Sequence, residues 1–280
     1  MFSDVLLTVD FDRTLTGPDG KIPARNLEAI QYFMENGGKF TVNTGRSVNT
    51  MRAHVDKVPV NAPLLLYNGS AAWENGELTE KYEIELPVWE TLDKMVELFP
   101  EATLEVQGAD THYFVHHHPS AVAYYNKMGW DYQVAEHGQD LGPFLKFALF
   151  GDSCTDTVAG MYMGTEEEYR YFREAAARIC ALYGDRVDVF FAAPKILDVH
   201  AKGVSKLRAA RQLQEKLGRK ILVCVGDAEN DLQMLRGADF AFCPADGVVA
   251  EKFPNVCPCG EGAVADVIYE KIPEILQRKP

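Results

Sequence analysis

Apolar and polar positions along the chain alternate between strand-like and helix-like patterns. Val5-Leu6-Leu7-Thr8-Val9 is a short apolar run rich in β-branched residues and predicts a buried strand, followed by a loop at Gly17-Pro18-Asp19-Gly20. Asn26 to Glu35 places Leu27, Ile30, Phe33 and Met34 on one helical face and stops at Asn36-Gly37-Gly38. Lys39 to Thr44 reads as a second strand. A strand–helix–strand unit of this kind predicts a parallel, right-handed crossover. Ser47 to Lys57 predicts a helix and Leu64 to Tyr67 a third strand. Asn68-Gly69 and Asn75-Gly76 carry hairpin signals, the first of them read as a type I′ turn or as a loop facing a ligand.

From about Leu86 the pattern changes to short strands mixed with helices. Helices are predicted over Val88–Phe99, Pro119–Met128 and Thr165–Tyr183, the last opened by a Thr165/Glu168 capping box. Strands are predicted over Thr103–Gln107 and His112–His116, around a Gly108-Ala109-Asp110 turn. Further strands are expected over Phe144–Phe150, Thr157–Met163, Val187–Phe191 and Ile196–His200. This predicts an α+β domain, residues 84–194, inserted into an α/β domain formed by residues 1–83 and 195–280. The α/β pattern resumes with a helix through Leu207, Ala210, Leu213 and Leu217, then Lys220–Val225, a second buried-strand run. A short helix follows over Leu232–Arg236, then a strand over Asp239–Cys243 and a closing helix over Gly262–Lys271.

Two buried strands end in acids. The first delivers Asp10 and Asp12, the second Asp227, Glu229 and Asp231. Open α/β sheets bind ligands beyond the carboxyl ends of their strands. Burying like charges there is unfavourable without a cation, so neighbouring strands would suit one divalent ion. An Asp-x-Asp alone is more often a solvated turn; the second acidic strand end changes the balance. Thr44-Gly45-Arg46 offers a hydroxyl and backbone N–H groups to a phosphate oxygen, although a helix N-cap by Thr44 or Ser47 is the commoner use of such residues. Lys206 falls in the first turn of a helix, where a cation is disfavoured unless an anion lies beside it.

Asp10-Phe11-Asp12-Arg13-Thr14, Thr44-Gly45-Arg46, Gly203-Val204-Ser205-Lys206 and Gly226-Asp227-Ala228-Glu229-Asn230-Asp231 together resemble, in order, the four motifs of the haloacid dehalogenase (HAD) superfamily of phosphotransferases. The long gap between the second and third motifs resembles the Cof-type branch (subclass IIB, with a C2 cap). The resemblance implies a Rossmann-like core with a parallel sheet and an inserted cap that closes over the pocket and selects the substrate. It implies a Mg²⁺-dependent phosphatase for a small phosphorylated metabolite, sugar phosphates first, working through an aspartyl-phosphate. Asp10 becomes the nucleophile, an assignment that spacing alone does not make, and Asp12 the acid and base. Thr44 and Lys206 bind the phosphoryl group, with Gly45, Arg46, Asn68 and Asn230 as further contacts and Lys202 as fallback for Lys206. Mg²⁺ is expected on Asp10, the Asp12 carbonyl and Asp227, with Asp231 beside them. Arg13 stands where the family usually has glycine. Tyr113, His116, His117, Tyr124 and Tyr125 are the insert residues that could line the pocket, although aromatic residues there are more often core.

The chain has 280 residues and a net charge of −13, which disfavours nucleic acid or an anionic membrane as partner. No leader is expected after Met1-Phe2-Ser3-Asp4, no run is long enough to span a bilayer, and six scattered cysteines suit reduced thiols. A cytoplasmic monomer or weak homodimer is the expectation. Cys257-Pro258-Cys259 and His116-His117-His118 are not expected to hold metal, because the first lacks a second ligand pair and adjacent residues of an extended segment point to opposite faces. Two other readings share the motifs: a phosphomutase, for which the insert shows no arginine cluster, and a sensing module on an inactive phosphatase scaffold.

Overall fold

A computed structural model of the chain describes residues 1–109, 111–152, 157–158, 161–162, 165–193 and 195–277. The chain divides into two compact units. One comprises residues 1–45, 53–79 and 205–280; the other comprises residues 46–52 and 80–204. The divisions fall near 79/80 and 204/205, against 83/84 and 194/195 read from sequence.

The first unit is built on a five-stranded parallel sheet in the order Asn255–Val256, Phe240–Pro244, Ile221–Val225, Val5–Val9, Lys39–Val42. Val5–Val9 and Ile221–Val225 are buried at every position, as runs that are apolar but for Thr8 suit a sheet covered on both faces. They pair in register from Val5↔Ile221 to Val9↔Val225. The chain leaves Val5–Val9 for one neighbour and returns from far along the sequence to the other. The crevice beyond these two carboxyl ends is therefore a topological switch point.

Helix Ala24–Glu35 starts two residues before the predicted start, with Pro23 preceding it. The hairpin reading at Asn68-Gly69 is corrected in detail. Leu64–Leu66 and Ala71–Glu74 do pair antiparallel, but Leu66 faces Ala71 across a four-residue loop, Tyr67–Ser70. Three successive residues there, Tyr67, Asn68 and Gly69, have positive φ (52°, 54° and 94°). A two-residue turn needs only two such positions. The second hairpin signal has that form, with Asn75 at 53° and Gly76 at 88°.

The second unit carries a six-stranded sheet, Val187–Ala193, Ile196–Ala201, Phe144–Phe150, Thr103–Gly108, His112–His116 and Gln133–Val134. Helices Val88–Leu98 and Glu166–Tyr183 pack on one face through Leu92, Met95, Phe172 and Ile179. The Thr165/Glu168 capping box is formed. The single strand expected over Thr157–Met163 is instead two short segments, Thr157–Val158 and Met161–Tyr162, paired antiparallel; Met163, Cys154 and Asp110 lie outside the described residues. Helix Val48–Val55 is capped by Ser47, whose Oγ accepts the Thr50 N–H at 3.1 Å, so the cap belongs to Ser47 and not to Thr44. His116 and His118 turn to the carbonyls of Pro100 and Glu101, and no metal-ligand group forms on them among the described residues. Tyr125 is core, packed with Phe114 and Ala121.

Candidate active site

Asp10 leaves the end of its strand with its N–H on the Val225 carbonyl at 2.9 Å, so the neighbouring strand fixes where the first acid emerges. The turn Phe11–Leu15 then reverses the chain. Arg13 sits in the left-handed region (φ 56°, ψ 14°), and its N–H donates to Thr16 Oγ1 at 3.2 Å. This is the position where the motif usually has glycine, and an L-residue in that conformation costs roughly 1–2 kcal/mol. The Arg13 guanidinium lies 3.9 Å from Asp246.

Lys206 opens helix Lys206–Lys216, capped by Ser205 Oγ on the Arg208 N–H at 3.1 Å. Its ammonium is buried and donates to Asp10 Oδ1 at 2.5 Å and to Asp231 Oδ1 at 2.7 Å. Lys202, the alternative lysine, instead pairs with Asp188 at 2.7 Å within the second unit. The other Asp231 oxygen accepts the N–H groups of Asp227 (3.0 Å) and Ala228 (3.1 Å). Asp231 thus holds the lysine and the Asp227 turn together. Thr14 Oγ1 donates to Asp227 Oδ1 at 3.0 Å, a link between the first and last motifs that no local pattern announced. Gly69 is forced here: at φ 94° a Cβ would stand 2.5 Å from the Ser205 carbonyl, so only glycine lets the hairpin approach the start of the Lys206 helix.

Asp10, Asp227 and Asp231 are buried, with one ligand oxygen of each within 4.8 Å of the others. Burial pushes the Asp10 carboxyl well up; Lys206 opposes this, while Asp231, Asp227 and Asp12 add to it. Burial and then Asp231 push Asp227 up to about 7, against the Thr14 hydrogen bond and Lys206. For Lys206 burial acts downward, but Asp10 and Asp231 outweigh it and raise the ammonium. Three buried carboxylates face one buried cation. Hard oxygen ligands with that excess of negative charge fit a small divalent ion such as Mg²⁺. Asp12 is exposed, and its side chain is outside this group.

Thr44 is buried just beyond strand Lys39–Val42, its N–H on the Leu65 carbonyl and its own carbonyl accepting from the Asn68 N–H, both at 2.9 Å. Gly45 packs against the Asn68 amide, and Asn230 is half-buried in the turn Glu229–Asp231. Arg46 is the residue after Gly45 along the chain. It belongs to the second unit, where it donates to the Thr50 carbonyl at 3.0 Å and lies 6.0 Å from the Trp130 ring centre.

The profile of the haloacid dehalogenase-like hydrolases matches residues 7–251. The chain belongs to this family. Among curated relatives it is 22% identical over 253 residues to the 5-amino-6-(5-phospho-D-ribitylamino)uracil phosphatase YitU of Bacillus subtilis, covering 88% of each chain. It is 24% identical over 241 residues to the HMP-PP phosphatase of Escherichia coli O157:H7, covering 85% of this chain and 82% of that one. The HAD subclass IIB sugar phosphatase BT4131 superposes with a TM-score of 0.76 at 18% identity, over 96% of this chain and 99% of its own. The HAD fold therefore spans nearly all of the chain.

Proposed function

We propose that this hydrolase is a Mg²⁺-dependent phosphatase that removes the phosphoryl group of a small metabolite, a sugar phosphate first among candidates, through an aspartyl-phosphate on Asp10. The observation that carries the reading is the Lys206 ammonium held between Asp10 and Asp231, with Asp227 beside them. Asp10 and Asp227 would hold the divalent ion, whose charge would offset the negative charge of the phosphoryl oxygens. Asp231 is spent on Lys206 and the Asp227 turn, which makes it a positioning group.

In this reading the Asp10 carboxylate attacks phosphorus and the ester oxygen leaves. Lys206 neutralises a phosphoryl oxygen and Thr44 donates to another, which is most of what phosphoryl transfer requires. Asp12 gives its proton to the leaving oxygen and then takes one from the water that hydrolyses the acyl phosphate. The contrast between buried Asp10 and exposed Asp12 suits these roles, because a group that exchanges protons twice benefits from solvent access. The second unit is assigned the selection of the substrate, as in the branch the sequence resembles.

Phosphate release from sugar phosphates, nucleotides and p-nitrophenyl phosphate, with Mg²⁺ or with EDTA, tests the reading. Mg²⁺-dependent release that Asp10→Asn abolishes is expected. Release that persists in EDTA or in Asp10→Asn would refute it.

A further inference from the structure

Asp10 and Lys206 must keep a fixed separation for the phosphoryl transfer proposed above. They come from opposite ends of the chain, one after a strand and one at the start of a helix. Asn43, immediately before Thr44, joins the two. Its N–H donates to the Val9 carbonyl at 2.8 Å, one residue before Asp10. Its Nδ2 donates to the Lys206 carbonyl at 2.8 Å and lies 3.6 Å from Met234 Sδ. The backbone of Asn43 is thereby fixed on the Asp10 strand while its side chain grips the residue that carries the ammonium.

The bond is not one the helix needs. A first-turn carbonyl already accepts the N–H four residues on. Nor does the amide suit its surroundings: Asn43 is fully buried, and its Oδ1 meets no partner among the described residues. An unsatisfied buried acceptor is destabilising. A leucine of similar size would fill the space without that penalty.

We infer that Asn43 is a positioning residue for the phosphoryl-transfer site, present to hold Lys206 at the distance from Asp10 that the chemistry uses, at some expense in stability. The inference rests on the phosphatase reading for its kinetic part and on geometry alone for its structural part.

Asn43→Leu is the test, in the full chain. With p-nitrophenyl phosphate and Mg²⁺, kcat is expected to fall roughly 10–100-fold, the range for loss of a supporting hydrogen bond at a site. KM should change little and the melting temperature should hold or rise. In a Lys206→Met background the same substitution should produce no further fall, because its effect passes through Lys206. Hydrogen exchange supplies a readout independent of turnover: a peptide spanning residues 205–213 should exchange faster in Asn43→Leu while the rest of the sheet is unchanged. Unchanged exchange there, or a kcat loss that tracks a falling melting temperature and recurs in the Lys206→Met background, would overturn the inference. A wild-type chain inert toward every phosphate ester would overturn the phosphatase reading, leaving the exchange result to decide the role of Asn43.

Discussion

Asp231 is bonded to Lys206 through one oxygen and to the backbone of Asp227 and Ala228 through the other. A single buried carboxylate therefore couples the helix that brings the cation to the turn that brings the second acid. The arrangement depends on Lys206, the one cation paired with these acids among the described residues. Lys206→Met keeps the length of the side chain but leaves three buried carboxylates facing one another. Removing one partner of a buried ion pair costs about 3–5 kcal/mol. A loss of that size is expected in chemical denaturation at pH 8 in EDTA, smaller at pH 5.5 where the acids can take protons. Activity should fall by about 10²-fold or more, as when one preorganised donor is removed. Equal losses of stability at both pH values would show that the cluster is not charged as argued.

Metal and protons should compete for the same carboxylates. Asp227 is pushed up to about 7, and Asp10 is raised as well. A raised folded-state value means that, without metal, the contribution of these groups to stability is fully present below their ordinary values near 4 and is lost as pH rises through the folded value. Bound Mg²⁺ requires both groups ionised. The rise in melting temperature on adding Mg²⁺ should therefore grow between pH 5 and pH 8. Taking the difference between Mg²⁺ and EDTA at each pH cancels titrations elsewhere, including that of His200, which burial and then Lys146 push well down. A difference that is flat in pH would contradict the assignment of Asp10 and Asp227 as ligands.

Arg13 gives a test of backbone strain next to the nucleophile. Arg13→Gly and Arg13→Val both delete the long, partly exposed contact with Asp246, so the comparison between them isolates φ. The valine variant should be less stable than the glycine variant by about 1–2 kcal/mol. Equal midpoints in urea would show that the turn relaxes out of the left-handed region.

How much of this was legible beforehand varies with the range of the interaction. Val5–Val9 and Ile221–Val225 could be read because a strand covered on both faces is apolar throughout, and the acids at their ends follow directly. Lys206 could be chosen over Lys202 only as a motif position; the pairing of Lys202 with Asp188 depends on strand register. Asn43 carried no signal, since one asparagine at a strand end is ordinary and its partner lies 163 residues away. The loop Tyr67–Ser70 misled because Asn-Gly is a strong turn signal, whereas here tertiary contact between Gly69 and Ser205 sets the loop.

A second buried network was equally hidden. Ser47 Oγ meets His112 Nε2 at 2.7 Å, His112 Nδ1 lies 2.7 Å from Glu105, and Tyr125 donates to the same carboxylate. Glu105 is held below its usual range: burial acts upward, but the His112 charge and the hydrogen bonds from His112, Tyr125 and Gln107 prevail. His112→Leu strands that carboxylate and should cost about 3 kcal/mol, measured by urea denaturation at pH 7. A change near zero would show that Tyr125 and Gln107 suffice.

In the proposed reaction Asp10 carries the phosphoryl group during turnover. The most direct measurement is mass spectrometry of Asp12→Ala, acid-quenched after mixing with p-nitrophenyl phosphate and Mg²⁺: p-nitrophenolate leaves without a proton from Asp12, whereas loss of the base should let the intermediate accumulate. A phosphoryl adduct is expected on the peptide containing Asp10, absent when Asp10→Asn is added. Turnover with no adduct on that peptide, or an adduct on another residue, would contradict it.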